Sequence, residues 1–227
     1  MSIKRFAKVE IRGGGSINNR YIWSTFQSLV QAIIPPITFK IKSLGFVQQP
    51  GAMECKVYEY VIWILNHSIS QQVKVKLNIV SMAMSTAELL DLGAVQLIQN
   101  GQNTCPLNLN RFPNGGLFSK LSPIDRLKAL TLIENLELNL KYVSPPYQNN
   151  PDHIRQIVVV LNQLTMFGFY SEWTGYGTTG LSPPEFRRLE YFPHRWISAK
   201  YPGPSYAYRD FRGFLACMSH KKGKDKD

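Results

Sequence analysis

Apolar and polar positions alternate with two different periods along this chain. In "IWSTFQSLVQAII", from Ile22, Phe26, Leu29, Val30 and Ile33 fall on one stripe of a 3.6-residue period, and Pro35-Pro36 stops the predicted helix. "ITFKIKSL" then alternates apolar and polar residues, as a half-buried strand does, and the Gly- and Pro-rich "GFVQQPGA" reads as a loop. "ECKVYEYVIWILNHSI" is apolar nearly all round, which predicts a helix buried on most sides. "QQVKVKLNIV" alternates again, with Val73, Val75, Leu77 and Ile79 on one face. The two alternating runs are expected to pair as a small ribbon or to run as extended coil between helices.

The second half reads as helical. "STAELLDLGAVQLIQNG" opens with Ser85 and Glu88 in capping-box spacing and closes at Gly101. "NTCPLNLNRFPNGGLF" is a turn-rich connector within one domain. Ser122 is an N-cap with Pro123 at the first helical position, followed by a stripe of Leu127, Leu130, Ile133, Leu136 and Leu140. Asn150-Pro151 starts another helix, and Ser182-Pro183-Pro184-Glu185 a short one. No repeat is present. The expected fold is a single, mainly α-helical domain over 21–216, with room for a small two-stranded β ribbon. A basic extension (1–20) precedes it, and a lysine-rich tail (217–227), expected to be disordered, follows.

Composition narrows the function classes. With 44% hydrophobic and 18% charged residues among 227, most of the chain can fold. The net charge of +11 suggests an anionic partner, but it crowds at the ends: Lys4, Arg5, Lys8, Arg12 and Arg20, then Lys221, Lys222, Lys224 and Lys226. Charge so placed serves solubility more readily than a recognition groove. No apolar run approaches the roughly 18 residues of a membrane span. "SIKRFAK" lacks the paired arginines of an export signal, so no targeting segment is expected. Cys55, Cys105 and Cys217 form neither a disulfide framework nor a zinc site. His67, His153, His194 and His220 have no metal-ligand spacing, and Glu134 and Glu137 read as the solvated side of a leucine-rich helix. "GGG" at Gly13–Gly15 lacks the strand-turn-helix setting of a dinucleotide site.

What stands out is a C-terminal third dense in aromatics, glycines and arginines: "MFGFYSEWTGYGTTG", "RRLEYFPHRW" and "KYPGPSYAYRDFRGF". Glycines allow rings to be presented from loops, and Trp, Tyr and Arg dominate interface hot spots. "TFQSLVQAIIPP", "LTMFGFYSEWTGYG" and "KYPGPSYAYRDF" together resemble the subunit 3 family of gluconate 2-dehydrogenase, the small subunits of flavin-dependent sugar and alcohol dehydrogenase complexes. The motifs that carry the resemblance are Ile33-Ile34-Pro35, Gly168-Phe169-Tyr170-Ser171, Gly175 with Gly177, Trp196, Tyr201-Pro202-Gly203 and Tyr208-Arg209. Lys200 stands where the family's turn begins with glycine, and the family's twin-arginine leader has no counterpart here.

The resemblance implies a non-catalytic small subunit with no cofactor of its own, supporting folding or assembly of a large partner. That partner is an FAD-binding dehydrogenase of the glucose-methanol-choline type, and a cytochrome subunit completes the complex in some members. With no signal peptide seen, the expected location is cytoplasmic, or exported only together with the partner. Phe169, Tyr170, Trp173, Tyr176, Trp196, Tyr201, Tyr206, Tyr208 and Arg209 are the expected partner-binding residues. The competing expectation is a basic nucleic-acid-binding module with exposed aromatic loops, but the rings follow glycines and prolines rather than a stacking sheet.

Overall fold

The structure, a computed structural model, describes residues 16–41, 45–79, 81–198 and 200–201. The first helix, α1 (Ser16–Ile33), begins before the apolar stripe does. Phe26, Leu29 and Val30 are buried, as the stripe requires, and so are Ser24, Thr25, Ser28 and Gln31 on its flanks. After the prolines, β1 (Ile37–Ile41) pairs antiparallel with β2 (Gly45–Gln49), Ile37 opposite Gln49 and Ile41 opposite Gly45. The ribbon therefore exists, but its second strand comes from the segment read as a loop. Chain entropy accounts for the choice, since a neighbouring partner closes a much shorter loop than one some thirty residues on. The alternating run "QQVKVK" forms the short helix α3 (Gln71–Lys76), entered through Ser70, whose hydroxyl accepts the Val73 amide. No residue of α3 is buried, so nothing in the core recruits its alternation as a strand.

Between the ribbon and α3 lies α2 (Val57–His67), buried through Val57, Tyr58, Tyr60, Val61 and Leu65. Before α2 the chain passes close to the end of α1 at Gly51, where a Cβ would lie 2.6 Å from both the Ile34 carbonyl oxygen and the Pro36 nitrogen. That approach lets the Ala52 amide donate to the Ile34 carbonyl at 3.0 Å.

Helix α4 (Met82–Gln99) starts three residues before the expected capping box. Ser81 is the cap: its hydroxyl accepts the Met84 amide at 3.2 Å and donates to Asn66 Oδ1 at 2.8 Å. Ser85 is buried inside the helix, and Gly101 ends it at φ +65°. Ala83, Ala87, Leu90, Ala94 and Leu97 form the inward face. The four-residue α5 (Leu117–Lys120) leads into α6 (Pro123–Glu134), with Ser122 capping and Pro123 in its first turn, as expected. Because α6 ends at Glu134, Leu136 and Leu140 lie past it, Leu127 is exposed, and Ala129, Leu130, Leu132 and Ile133 make its buried apolar face. Helix α7 (Pro151–Tyr170) opens with Asn150 accepting the His153 amide. α4 packs on α6, α1 on both α6 and α2, and α2 on α7, around one continuous apolar cluster. The fold is mainly α, with the two-stranded ribbon as its sheet among the described residues.

Three charged side chains are built into this core. Arg126 of α6 is almost wholly buried. Its Nη1 donates to the Ser28 carbonyl at 3.0 Å and to Gln31 Oε1 at 3.1 Å, Nη2 to the Ser119 carbonyl at 2.7 Å, and Nε to the Phe118 carbonyl at 3.3 Å. Its guanidinium also lies 5.2 Å from the Phe112 ring centroid. Burial, with the Arg111 cation nearby, pulls its pKa down to about 10. Asp125, beside it, is fully buried and accepts from the Thr104 amide and hydroxyl, the Cys105 amide and Ser122 Oγ. Burial alone would raise its pKa, but these donors hold the carboxyl well below the usual carboxylate range. On α4, Asp91 accepts from Tyr21 Oη at 2.6 Å and the Phe118 amide at 2.8 Å, and there burial prevails and pushes the carboxyl up.

Candidate functional site

Past α7 the chain folds through three tight turns, Glu172–Gly175, Gly177–Thr179 and Pro184–Phe186, and then the short helix α8 (His194–Ser198). Gly175 accepts both the Glu190 and Tyr191 amides on its carbonyl, and a Cβ there would lie 2.5 Å from the Tyr191 carbonyl oxygen. The returning segment 187–193 can therefore run directly against the turns.

Two arginines fix this layer to the helices. The Arg187 guanidinium lies 4.4 Å from the Trp63 ring centroid, with Trp173 and Tyr176 at 5.8 and 5.9 Å, and its Nε donates to the Ser182 carbonyl. Arg195 lies 4.2 Å from the Phe169 centroid, and its Nη1 and Nη2 donate to Gln49 Oε1 and the Pro50 carbonyl at the end of β2. Cation–π contacts that are partly desolvated, as these are, are each worth about 1–2 kcal/mol.

The expected partner-binding residues separate into two sets. Phe169 and Trp173 are core: Phe169 lies under Arg195, and the Trp173 indole donates to the Lys56 carbonyl at 3.4 Å. Tyr176 is half-buried and donates to Glu172 Oε1, and its pKa is pushed up to about 12 by burial and by that carboxylate. Trp196 is 5% exposed, whereas Tyr170, Phe192 and Tyr201 are 52%, 53% and 45% exposed. These rings meet. Trp196 packs edge-to-face with Phe192 at 5.5 Å and with Tyr201 at 4.9 Å, and its indole N–H donates to the Tyr170 carbonyl at 3.2 Å. The result is a buried indole flanked by two half-exposed rings and bonded to the backbone of half-exposed Tyr170, with Tyr191 and Ile197, both exposed, on the same segment. Tyr206, Tyr208 and Arg209 lie outside the described residues, as do Cys217, His220 and the lysine-rich tail.

Phe192 was legible as part of "RRLEYFPHRW", but only the packing of α8 ties it to Trp196. A second feature escapes the hydropathy pattern altogether. Asn19 and Trp23 of α1, the Glu59, Ile62, Trp63, Asn66 and His67 face of α2, and Leu181, Pro183 and Pro184 enclose a cleft of about 340 Å³. The one signal for it in sequence is Glu59, Trp63 and His67 at four-residue spacing, which sets a carboxylate, an indole and an imidazole on one helix face.

Among the described residues, no group of three or more His, Cys, Asp or Glu side chains converges as a metal site would. His67 stacks on Trp63 at 4.4 Å, and His153 lies edge-on to Tyr147 with its pKa lowered by burial. Cys55 is half-buried and Cys105 exposed, both as free thiols, and Glu134 and Glu137 face solvent. No helix among the described residues is long and apolar enough to cross a membrane. Comparison with protein-family models, curated proteins and solved structures returns no match to this chain.

Proposed function

We propose that this chain is a non-catalytic small subunit that docks on a large FAD-dependent sugar or alcohol dehydrogenase of the glucose-methanol-choline type and supports its folding or assembly. The observation that carries the reading is the aromatic patch around Trp196. A large aromatic side chain buries about 150–250 Å², so three half-exposed rings offer roughly 300 Å² of apolar area. That is over a third of the ~800 Å² one partner contributes to a standard interface. Phe192 and Tyr201, packed edge-on against the buried Trp196 indole, lose less freedom on binding, so less of the contact energy is spent on ordering them. Two positions of the motif resemblance, Tyr170 and Tyr201, lie on the exposed rim of this patch, and a third, Trp196, is its buried centre.

The test is co-expression with a candidate flavoprotein and retention of the yellow partner in a pull-down, alongside melting of the isolated chain. Tyr170→Ala and Phe192→Ala are expected to weaken retention by about tenfold or more each, with the melt within ~2 °C of wild type. Trp196→Ala, which removes a core indole worth about 3–5 kcal/mol, should lower the melt itself. Full retention by the Tyr170→Ala/Phe192→Ala double variant would overturn the docking assignment. An equal fall in retention and melt would make the patch a structural clamp instead.

A further inference from the structure

The cleft between α1, α2 and the 181–184 loop is separate from the Trp196 patch, and its lining has a definite chemistry. Its walls are preformed. Trp63 is held by the His67 ring and the Arg187 guanidinium, each 4.4 Å from its centroid, and Trp23 stands edge-to-face with Tyr58 at 5.6 Å. Ile62, Leu181 and Pro183 supply the remaining apolar surface. Among the described residues, Glu59 is the sole acid lining it. Burial is the main influence on that carboxyl and raises its pKa, while Lys56 and the Tyr58 hydroxyl pull it the other way.

Hydrogen-bond acceptors, by contrast, are already engaged. Asn66 Oδ1 takes both the Ser81 hydroxyl and the Ala83 amide, the Asn66 carbonyl takes Lys74 Nζ, and His67 Nδ1 lies 2.7 Å from the Trp63 carbonyl oxygen. The neighbouring cations are engaged too, Lys74 on Asn66 and Arg187 on Ser182 and the rings. An anionic ligand would face Glu59, and a primary amine would need acceptors for three N–H groups. A cation that donates no hydrogen bond needs only a counter-charge and aromatic walls.

We infer that this cleft binds an alkylated organic ammonium ion with a small apolar body, its cationic head against Glu59 and its body against Trp23, Ile62, Leu181 and Pro183. Size agrees: a cavity of ~150 Å³ holds benzene, and ligand pockets begin near ~300 Å³, so about 340 Å³ accommodates one ring and a trimethylammonium head.

The experiment is calorimetric titration of the full chain, alone, with benzyltrimethylammonium and with benzyl alcohol as the neutral comparator. No flavoprotein is present, so the outcome is independent of the docking proposal. Saturable binding of the cation is expected, about tenfold or more tighter than benzyl alcohol and about tenfold or more weaker in Glu59→Gln. Leu181→Lys, which brings a second cation to the wall, should abolish it. No saturable heat up to about 10 mM cation, equal affinity for the alcohol, or unchanged affinity in Glu59→Gln would each overturn the assignment. If Glu59→Gln fails to fold by circular dichroism, the comparison of the two ligands on the wild-type chain decides the matter.

Discussion

Replacing Arg126 with methionine removes a buried cation that holds α6 to α1 and to α5 at Phe118 and Ser119. Methionine keeps much of the side-chain volume, so the change isolates the polar work of the guanidinium. Four acceptors lose their donor: the carbonyls of Ser28, Phe118 and Ser119, and Gln31 Oε1. A buried acceptor left unpaired costs about 1–3 kcal/mol, and the four do not add independently because Gln31 can rotate. Against this, methionine relieves the desolvation that pulls the Arg126 pKa down to about 10. The net loss expected is about 3–5 kcal/mol, the lower part of what four unpaired acceptors would cost, because the relieved desolvation and Gln31's rotation offset the rest. At about 2–4 °C per kcal/mol for a domain of this size, the melting temperature should fall by roughly 6–20 °C. Arg126→Lys sharpens the test. An ammonium keeps the charge but has three donors on a flexible stem, and it cannot reproduce the fork that spans three segments. Circular dichroism melts of both variants at neutral pH provide the readout, with Lys expected to recover less than half of the loss. A methionine variant melting within ~2 °C of wild type would refute the reasoning, because the four acceptors would then have found other donors at no cost.

Two further outcomes follow from the core. Asp91 has a raised pKa in the folded chain, so the native state holds more protons than the unfolded one between the ordinary carboxylate pKa and that raised value. The stability it contributes is complete below the ordinary value and is lost as pH rises through the folded one, so Asp91→Asn should melt progressively higher relative to wild type across that window. Melts recorded from acid to neutral pH check this, and parallel profiles for the two proteins would contradict it. At the α2–α7 contact, a Cβ on Gly168 would lie 2.7 Å from Tyr60 Cδ1 and 2.9 Å from Val57 Cγ1. Gly168→Ala should therefore lose about 1–3 kcal/mol to overpacking, outweighing the gain of up to ~1 kcal/mol in helix propensity, and an unchanged or higher melt would show that the Tyr60 ring yields freely.

Sequence by itself determined the elements whose signals are local. The Pro35-Pro36 stop, the Ser122-Pro123 and Asn150-Pro151 starts and the Gly101 stop act within one turn of the chain, where φ restriction and side-chain caps need no distant partner. The long apolar stripes likewise fixed the mainly α class, since each must bury one face whatever it packs on. Tertiary structure decided everything that depends on who the neighbour is. The alternation of "QQVKVK" is as strand-like as that of "ITFKI", yet only the latter has an adjacent segment to pair with. Asp125 and Arg126, charged residues in the first turns of α6, are buried because the 104–105 segment and α1 supply their partners from far along the chain. In the candidate docking site, composition showed that rings were abundant. Which of them are core, as Phe169, Trp173 and Trp196 are, and which stay half-exposed, as Tyr170 and Tyr201 do, was set by where Arg187 and Arg195 clamp the C-terminal layer. A ring's exposure is a property of the surface it lands on, and no periodicity in its own segment encodes that.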